Sequence, residues 1–132
     1  MNGLQAYQRV NTQTSITDAD PHKLIQLLYN GAIERINMAK SRIQAKDYAG
    51  KAKLINKAIE IVGGLRSFLD LEQGGDLAAR LASLYEYMER TLLEASMRND
   101  VTKLDEVATL LRSIKEAWDG IREEVVSQQQ AV

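Results

Sequence analysis

The single histidine, His22, is the residue best suited to acid–base or phosphoryl chemistry in this chain of 132 residues without cysteine. One imidazole and no thiol cannot assemble a zinc site or the paired Glu-x-x-His motifs of di-iron bundles. A histidine phosphotransfer module using His22 remains an alternative, because such modules are small four-helix proteins with one reactive histidine. They display it in mid-helix near a lysine and a glycine, whereas His22 follows Pro21 and the next glycine is Gly31. We therefore expect His22 to be an ordinary residue of a helix start.

Two further patterns could be mistaken for catalytic sites. The pair Gly74-Gly75 lacks the lysine and the serine or threonine that follow the glycines of a phosphate-binding loop. The carboxylates Asp18, Asp20 and Glu123-Glu124 lie near predicted helix ends, where carboxylates are ordinarily solvated. The sequence therefore predicts a protein that is not an enzyme, with no catalytic residue, metal or cofactor.

Composition limits the classes of partner. Seventeen basic and eighteen acidic residues give a net charge of -1, and no basic block marks a nucleic-acid surface. No apolar run approaches the ~20 residues needed to span a bilayer, and the start lacks the features of a signal peptide. Together with the absence of cysteine, this predicts a soluble cytoplasmic protein. A content of 45% hydrophobic residues suits one domain over residues 1–132.

Apolar residues recur at intervals of three and four almost throughout, which predicts an all-α fold. We expect the first helix to begin after Asp20, with Pro21 at its first position. The other three should follow Asp47, begin at Asp76 and follow Asn99-Asp100. Gly74-Gly75 should supply the left-handed backbone that ends the second helix, and Asp76 should cap the third. The short connections predict an antiparallel up-down four-helix bundle over residues 20–127, with a mobile cap and linker at 1–19 and a tail at 128–132.

The second predicted helix carries more apolar surface than one seam requires. Its apolar arc covers roughly 200°, against roughly 120° on the fourth helix. The surplus on the second helix is a ridge beside its seam, which comprises Leu54, Ile61, Leu65 and Phe68. On the first helix, Leu27 falls outside the main apolar stripe. Internal packing, a homodimer or a groove for an amphipathic partner segment would each explain it.

A short apolar strip precedes the bundle and offers another cover for this surface. Leu4, Tyr7 and Val10 are spaced by three, so they share one side of a helical turn. If the strip occupies the groove in the free protein, it competes with a partner and lowers the partner's apparent affinity.

A series of motifs, in order and spacing, resembles the flagellin export chaperone family, FliS, over almost the entire chain. These motifs are Ala6-Tyr7, Pro21-His22-Lys23-Leu24-Ile25, Leu28-Tyr29-Asn30-Gly31-Ala32, Lys57-Ala58-Ile59-Glu60-Ile61, Gly64-Leu65-Arg66-Ser67, Leu69-Asp70-Leu71-Glu72-Gln73-Gly74-Gly75, Leu84-Tyr85-Glu86-Tyr87-Met88, Asn99-Asp100 and Glu116-Ala117-Trp118.

The resemblance implies a cytoplasmic chaperone that binds the disordered carboxy-terminal segment of flagellin, prevents premature polymerisation and delivers flagellin to a component of the export gate. It also implies an amino-terminal cap that moves aside, and Tyr7 is the residue that matches this feature. The predicted partner-binding residues are those of the strip, the ridge and Leu27: Leu4, Tyr7, Val10, Leu27, Leu54, Ile61, Leu65 and Phe68. The free protein could form a homodimer, and a generic homodimeric helical adaptor is a further alternative.

Overall fold

The computed structural model describes residues 20–121, and every regular element in that range is an α-helix. The helices are α1 (Pro21–Gln44), α2 (Tyr48–Ser67), α3 (Gly75–Arg98) and α4 (Val101–Gly120). The predicted all-α class is therefore confirmed. The strip residues Leu4, Tyr7 and Val10, the tail at 128–132, and the last part of the predicted bundle, residues 122–127, lie outside the described residues.

The helices form a ring in which each packs against the next and α1 also packs against α4. Long-range hydrogen bonds show that neighbours run in opposite directions. His22 at the start of α1 bonds to Trp118 near the end of α4, and Lys51 near the start of α2 bonds to Ser96 near the end of α3. The antiparallel four-helix bundle predicted from the sequence is confirmed.

Aspartate side chains begin three of the four helices, as predicted. The Oδ1 atoms of Asp20, Asp47 and Asp100 accept backbone N–H bonds three residues ahead, at 2.7, 3.0 and 3.2 Å. Each bond satisfies one of the amide groups that a helix start leaves without a partner in the helix. Pro21 follows Asp20 at a position where a missing amide hydrogen costs nothing.

The connection between α2 and α3 differs from the prediction. α2 ends at Ser67 and is capped by Phe68 in the right-handed region, so the glycine pair does not end it. Gly75, with φ of 55°, is instead the first residue of α3, and Asp76 lies in the first turn without capping the helix. The turn is organised by Asp70, whose Oδ1 accepts the amides of Glu72 and Gln73 at 3.1 and 3.0 Å.

Gly74 is required in this turn for a steric reason. A Cβ at this position would lie 2.6 Å from the Ala78 Cβ and 2.7 Å from the carbonyl oxygen of Asp70. The Gly74 amide also donates to that carbonyl at 2.7 Å, which closes the turn immediately before α3.

The core contains much of the ridge that was predicted to be surplus. Ile61 is fully buried and Leu65 is 3% exposed, so both side chains are covered within the bundle. The physical reason is that α2 packs more closely against its two neighbours, α1 and α3, than α4 does against its own, and a helix enclosed in this way uses a wider apolar arc. Of the explanations for the ridge, internal packing accounts for these two residues.

The described residues contain neither a candidate metal site nor a candidate membrane-spanning helix. No group of three His, Cys, Asp or Glu side chains within residues 20–121 is arranged to hold a metal ion. None of the four helices combines the length and apolar character needed to cross a bilayer.

Candidate functional site

An open apolar groove of about 770 Å³ lies at the end of the bundle where α1 and α3 begin and α2 and α4 end. All four helices and the connection between α2 and α3 contribute to its wall. The lining residues are Ile25, Tyr29, Leu65, Phe68, Leu69, Asp70, Gln73, Gly74, Leu77, Ala78, Leu81, Tyr85, Ser113, Ile114, Ala117, Trp118 and Ile121. Because aliphatic and aromatic side chains dominate this lining, the groove suits an apolar ligand.

The groove opens because α3 packs less closely against α4 than any other pair of neighbouring helices in the ring. Apolar side chains at its rim remain in contact with water. Leu77 at the start of α3 is 69% exposed, and Phe68 and Ile121 are 40% and 39% exposed. Covering these side chains with an apolar partner would stabilise a complex through burial of their surface.

The floor of the groove holds one buried polar pair. The hydroxyl oxygens of Tyr29 on α1 and Tyr85 on α3 are 2.5 Å apart and form a hydrogen bond. Burial raises the pKa of both hydroxyls above the ordinary value for tyrosine. Both tyrosines therefore stay neutral at physiological pH, and their bond joins two helices that face each other across the bundle.

His22 and Trp118 join the start of α1 to the end of α4 beside the groove. Their rings stack at 4.4 Å between centroids, with planes 8° apart. The Nε2–H of His22 donates to the Trp118 carbonyl at 2.7 Å, and the Trp118 Nε1–H donates to the His22 carbonyl at 3.0 Å. Because the imidazole is 3% exposed, stacked and already bonded, its role is structural, and the geometry gives no support to phosphotransfer.

A second polar contact supports the same junction from the solvent side. Gln26 on α1 donates through Nε2 to Asp119 Oδ1 at 2.6 Å, and Lys115 bonds to the other carboxylate oxygen. The bond from Lys115, followed by that from Gln26, holds the pKa of Asp119 below its usual value. The junction of α1 and α4 is thus held closed, while the neighbouring α3–α4 side is open.

Comparison with known families identifies the family of this chain. The family described as flagellar protein FliS matches residues 3–125 of the chain. The chain belongs to the FliS family. It is 47% identical over 121 residues to the flagellar secretion chaperone FliSB of Pseudomonas aeruginosa, covering 92% of this chain and 96% of that protein. It is also 41% identical over 118 residues to the flagellar secretion chaperone FliS of Vibrio cholerae, covering 89% of this chain and 87% of that protein. To the flagellar secretion chaperone FliS of Bacillus subtilis it is 32% identical over 117 residues, covering 89% of this chain and 84% of that protein.

The groove of this FliS chain includes two of the predicted partner-binding residues. Phe68 lies half-exposed at the rim, and Leu65 contributes to the wall from its buried position. Leu27 and Leu54 pack against the core as partly buried side chains outside the groove lining, and Ile61 belongs to the core itself. That these residues contact a partner stays a prediction, as it does for Leu4, Tyr7 and Val10, which lie outside the described residues.

Sequence periodicity alone does not separate many of the groove residues from core residues. Ile25, Leu77, Leu81, Ile114 and Trp118 fall on apolar stripes, and a stripe does not reveal where two helices separate. A usable signal was their size and position, since these large side chains cluster near the starts of α1 and α3 and the end of α4. Side chains at a contact influence how closely two helices approach.

Proposed function

We propose that this FliS chain is a chaperone without catalytic activity that holds the carboxy-terminal segment of flagellin in the cytoplasm before export. The observation that carries the proposal is the open apolar groove at the end of the bundle where α1 and α3 begin, in a member of this family. The curated relatives named above are flagellar secretion chaperones, which supports a secreted flagellar protein as the client.

The shape and chemistry of the groove suit an amphipathic helical segment. Such a segment places residues at intervals of three and four into a groove of apolar side chains. Phe68, Leu77 and Ile121 at the rim would be covered by its apolar face. Ordering a disordered segment consumes several kcal/mol of interaction energy, so the affinity must come from extended apolar contact.

The lining of the groove favours holding a ligand over transforming it. Among its described residues the ionisable groups are Asp70 and the two tyrosines, and burial keeps both tyrosine hydroxyls neutral. Asp70 is exposed and its side chain accepts two backbone amides of its own turn. A bound segment would therefore meet no activated base or nucleophile in this lining. The chaperone would instead keep the segment from polymerising and present the complex to a component of the export gate.

Isothermal titration calorimetry with a synthetic flagellin carboxy-terminal peptide tests this proposal. We expect one-to-one binding with a negative heat-capacity change, because apolar surface is buried. The peptide with its apolar anchors changed to serine is the matched control, and its binding should be lost. Sedimentation at the same concentrations separates a homodimer from a peptide complex. Absence of any peptide binding by a folded chain would refute the chaperone assignment.

A further inference from the structure

The paired hydroxyls of Tyr29 and Tyr85 have one more hydrogen to donate than their mutual bond uses. A tyrosine hydroxyl carries one donor hydrogen and accepts bonds through its oxygen, so a pair that shares one hydrogen retains a second donor. Within residues 20–121 each hydroxyl bonds to the other and to no further protein atom. The second O–H therefore needs an acceptor from outside this part of the chain.

The position of the pair makes that requirement relevant to binding. Both residues line the groove, yet Tyr29 is 3% and Tyr85 is 2% exposed, so they form part of its buried base. The other polar side chains of the lining, Asp70, Gln73 and Ser113, are exposed. A wholly apolar ligand that sealed the groove would leave a buried donor unsatisfied, which is unfavourable.

We propose that the Tyr29–Tyr85 pair is a polar recognition point, which selects client segments that place a neutral oxygen acceptor at the base of the groove. This inference rests on the proposed function, and it specifies what the client must offer besides apolar side chains. The acceptor is an amide oxygen, either from an asparagine or glutamine side chain or from a backbone carbonyl near the end of a client helix, where carbonyls lack helical partners.

The charges around the groove favour a neutral acceptor over a carboxylate. The described lining contains no lysine or arginine, and its one carboxylate belongs to Asp70. An anionic ligand group would lose hydration at the base without gaining a cationic partner. A neutral amide oxygen loses less and still accepts the tyrosine O–H.

Calorimetry on Tyr29→Phe and Tyr85→Phe with the flagellin carboxy-terminal peptide tests the inference. The hydroxyl that donates to the client should, when removed, weaken binding by about three- to tenfold, as expected for one hydrogen bond. Tyr87→Phe is the matched control, because Tyr87 is half-exposed, bonds to Glu106 and lies outside the groove lining. We expect Tyr87→Phe to bind within twofold of the unchanged protein.

Changes in the peptide separate recognition from simple bracing of α1 against α3. Amide-to-ester substitution weakens a backbone carbonyl as an acceptor, and Gln→Met or Asn→Leu removes a side-chain acceptor. One such change should weaken binding to the unchanged protein, a measurement that does not depend on how a variant folds. The same change should have a smaller effect on the sensitive Tyr→Phe variant, giving a coupling that bracing alone does not produce.

The outcomes distinguish the two proposals. The recognition point alone is overturned if the unchanged protein binds the peptide, both Tyr→Phe variants bind it with the same affinity as the unchanged protein, and no removal or weakening of a peptide oxygen acceptor lowers the affinity. Failure of the peptide to bind the unchanged protein overturns the proposed function and this inference with it.

Discussion

The two ends of the bundle are built from the same four helices, but one is closed and the other is open. At the closed end α1 joins α2 through residues 45–47, and α3 joins α4 through residues 99–100. At the open end the connection between α2 and α3 spans residues 68–74, and the apolar groove lies beside it. On the proposed function, the same regular helical pattern would serve stability at one end and binding at the other.

The size of the side chains explains much of the contrast. Small buried residues, Ala39, Ala95 and Ala108, occur on α1, α3 and α4 towards the closed end and let the helices approach closely. At the open end Tyr29, Tyr85 and Trp118 occupy similar inward positions and are much larger. The helices therefore approach closely around these small residues, whereas the apolar groove lies beside the larger ones.

Polar groups follow the same division. Near the closed end Lys51 is 7% exposed, and its Nζ donates to the carbonyl of Ser96 at 2.6 Å. This places a positive charge at the carboxyl end of α3, where it interacts favourably with the helix dipole. The tyrosine pair at the open end is also buried, but it retains a donor hydrogen that its mutual bond does not use.

The largest expected effect is a difference in stability between matched leucine substitutions at the two ends. Leu104→Ala removes a fully buried side chain of α4 near the closed end and should lower the free energy of unfolding by about 2–5 kcal/mol. Leu81→Ala changes a partly buried residue of the groove wall and should cost about 1–2 kcal/mol, because the space it leaves joins an open groove. Urea unfolding followed by circular dichroism measures both. Equal losses would contradict the division into a closed and an open end.

The next effect concerns binding and compares two exposed leucines of α3. Leu77→Asp places a charge at the groove rim and should weaken flagellin peptide binding by about tenfold or more, because burying an unpaired carboxylate is costly. Leu93→Asp is the matched control, since Leu93 is 53% exposed on the same helix but outside the groove lining. Neither change should alter stability by more than about 0.5 kcal/mol.

Calorimetry compares the two variants with the unchanged protein. If Leu93→Asp weakens binding as much as Leu77→Asp does, the client is not confined to the open end. A loss at Leu77 alone would instead sharpen the comparison by assigning recognition to the groove.

The sequence predicted the bundle because helix period and capping are local properties. Asp20, Asp47 and Asp100 begin helices as their chemistry requires, and the apolar stripes define the four faces that pack together. The prediction was wrong at the α2–α3 connection, where the Asp70 side chain organises the turn and Gly75 starts a helix. Such a turn depends on side-chain bonds and close approaches that composition does not reveal.

The site was less predictable because it depends on the separation between helices. The wide apolar arc of α2 does not indicate whether Ile61 faces a partner or the core; the close packing of α1 and α3 around α2 decides this, and Ile61 is buried. Phe68, which the sequence places on the apolar ridge, lies at the groove rim because it follows the last turn of α2. The Tyr29–Tyr85 pair joins residues 56 positions apart, so no local pattern indicates it.

The smallest expected effect is a dependence of stability on high pH that arises from the tyrosine pair. Burial raises the pKa of Tyr29 and Tyr85 in the folded chain, whereas a tyrosine in the unfolded chain has a pKa of about 10. The contribution of the two buried hydroxyls to the free energy of unfolding is therefore fully present below about pH 10. It declines as the pH rises towards the raised pKa values, because ionisation then favours the unfolded chain.

Urea unfolding at about pH 8.5 and about pH 10.5 isolates this contribution when the unchanged protein is compared with the Tyr29→Phe/Tyr85→Phe double variant. The unchanged protein should lose more stability between the two pH values, because only it retains hydroxyls that ionise more readily after unfolding. Tyr48→Phe is the control, since Tyr48 is 47% exposed, and it should match the unchanged protein. If the double variant and the unchanged protein lose the same free energy of unfolding between the two pH values, the tyrosine hydroxyls are open to water. The open end would then lack the buried polar base that distinguishes it from the closed end.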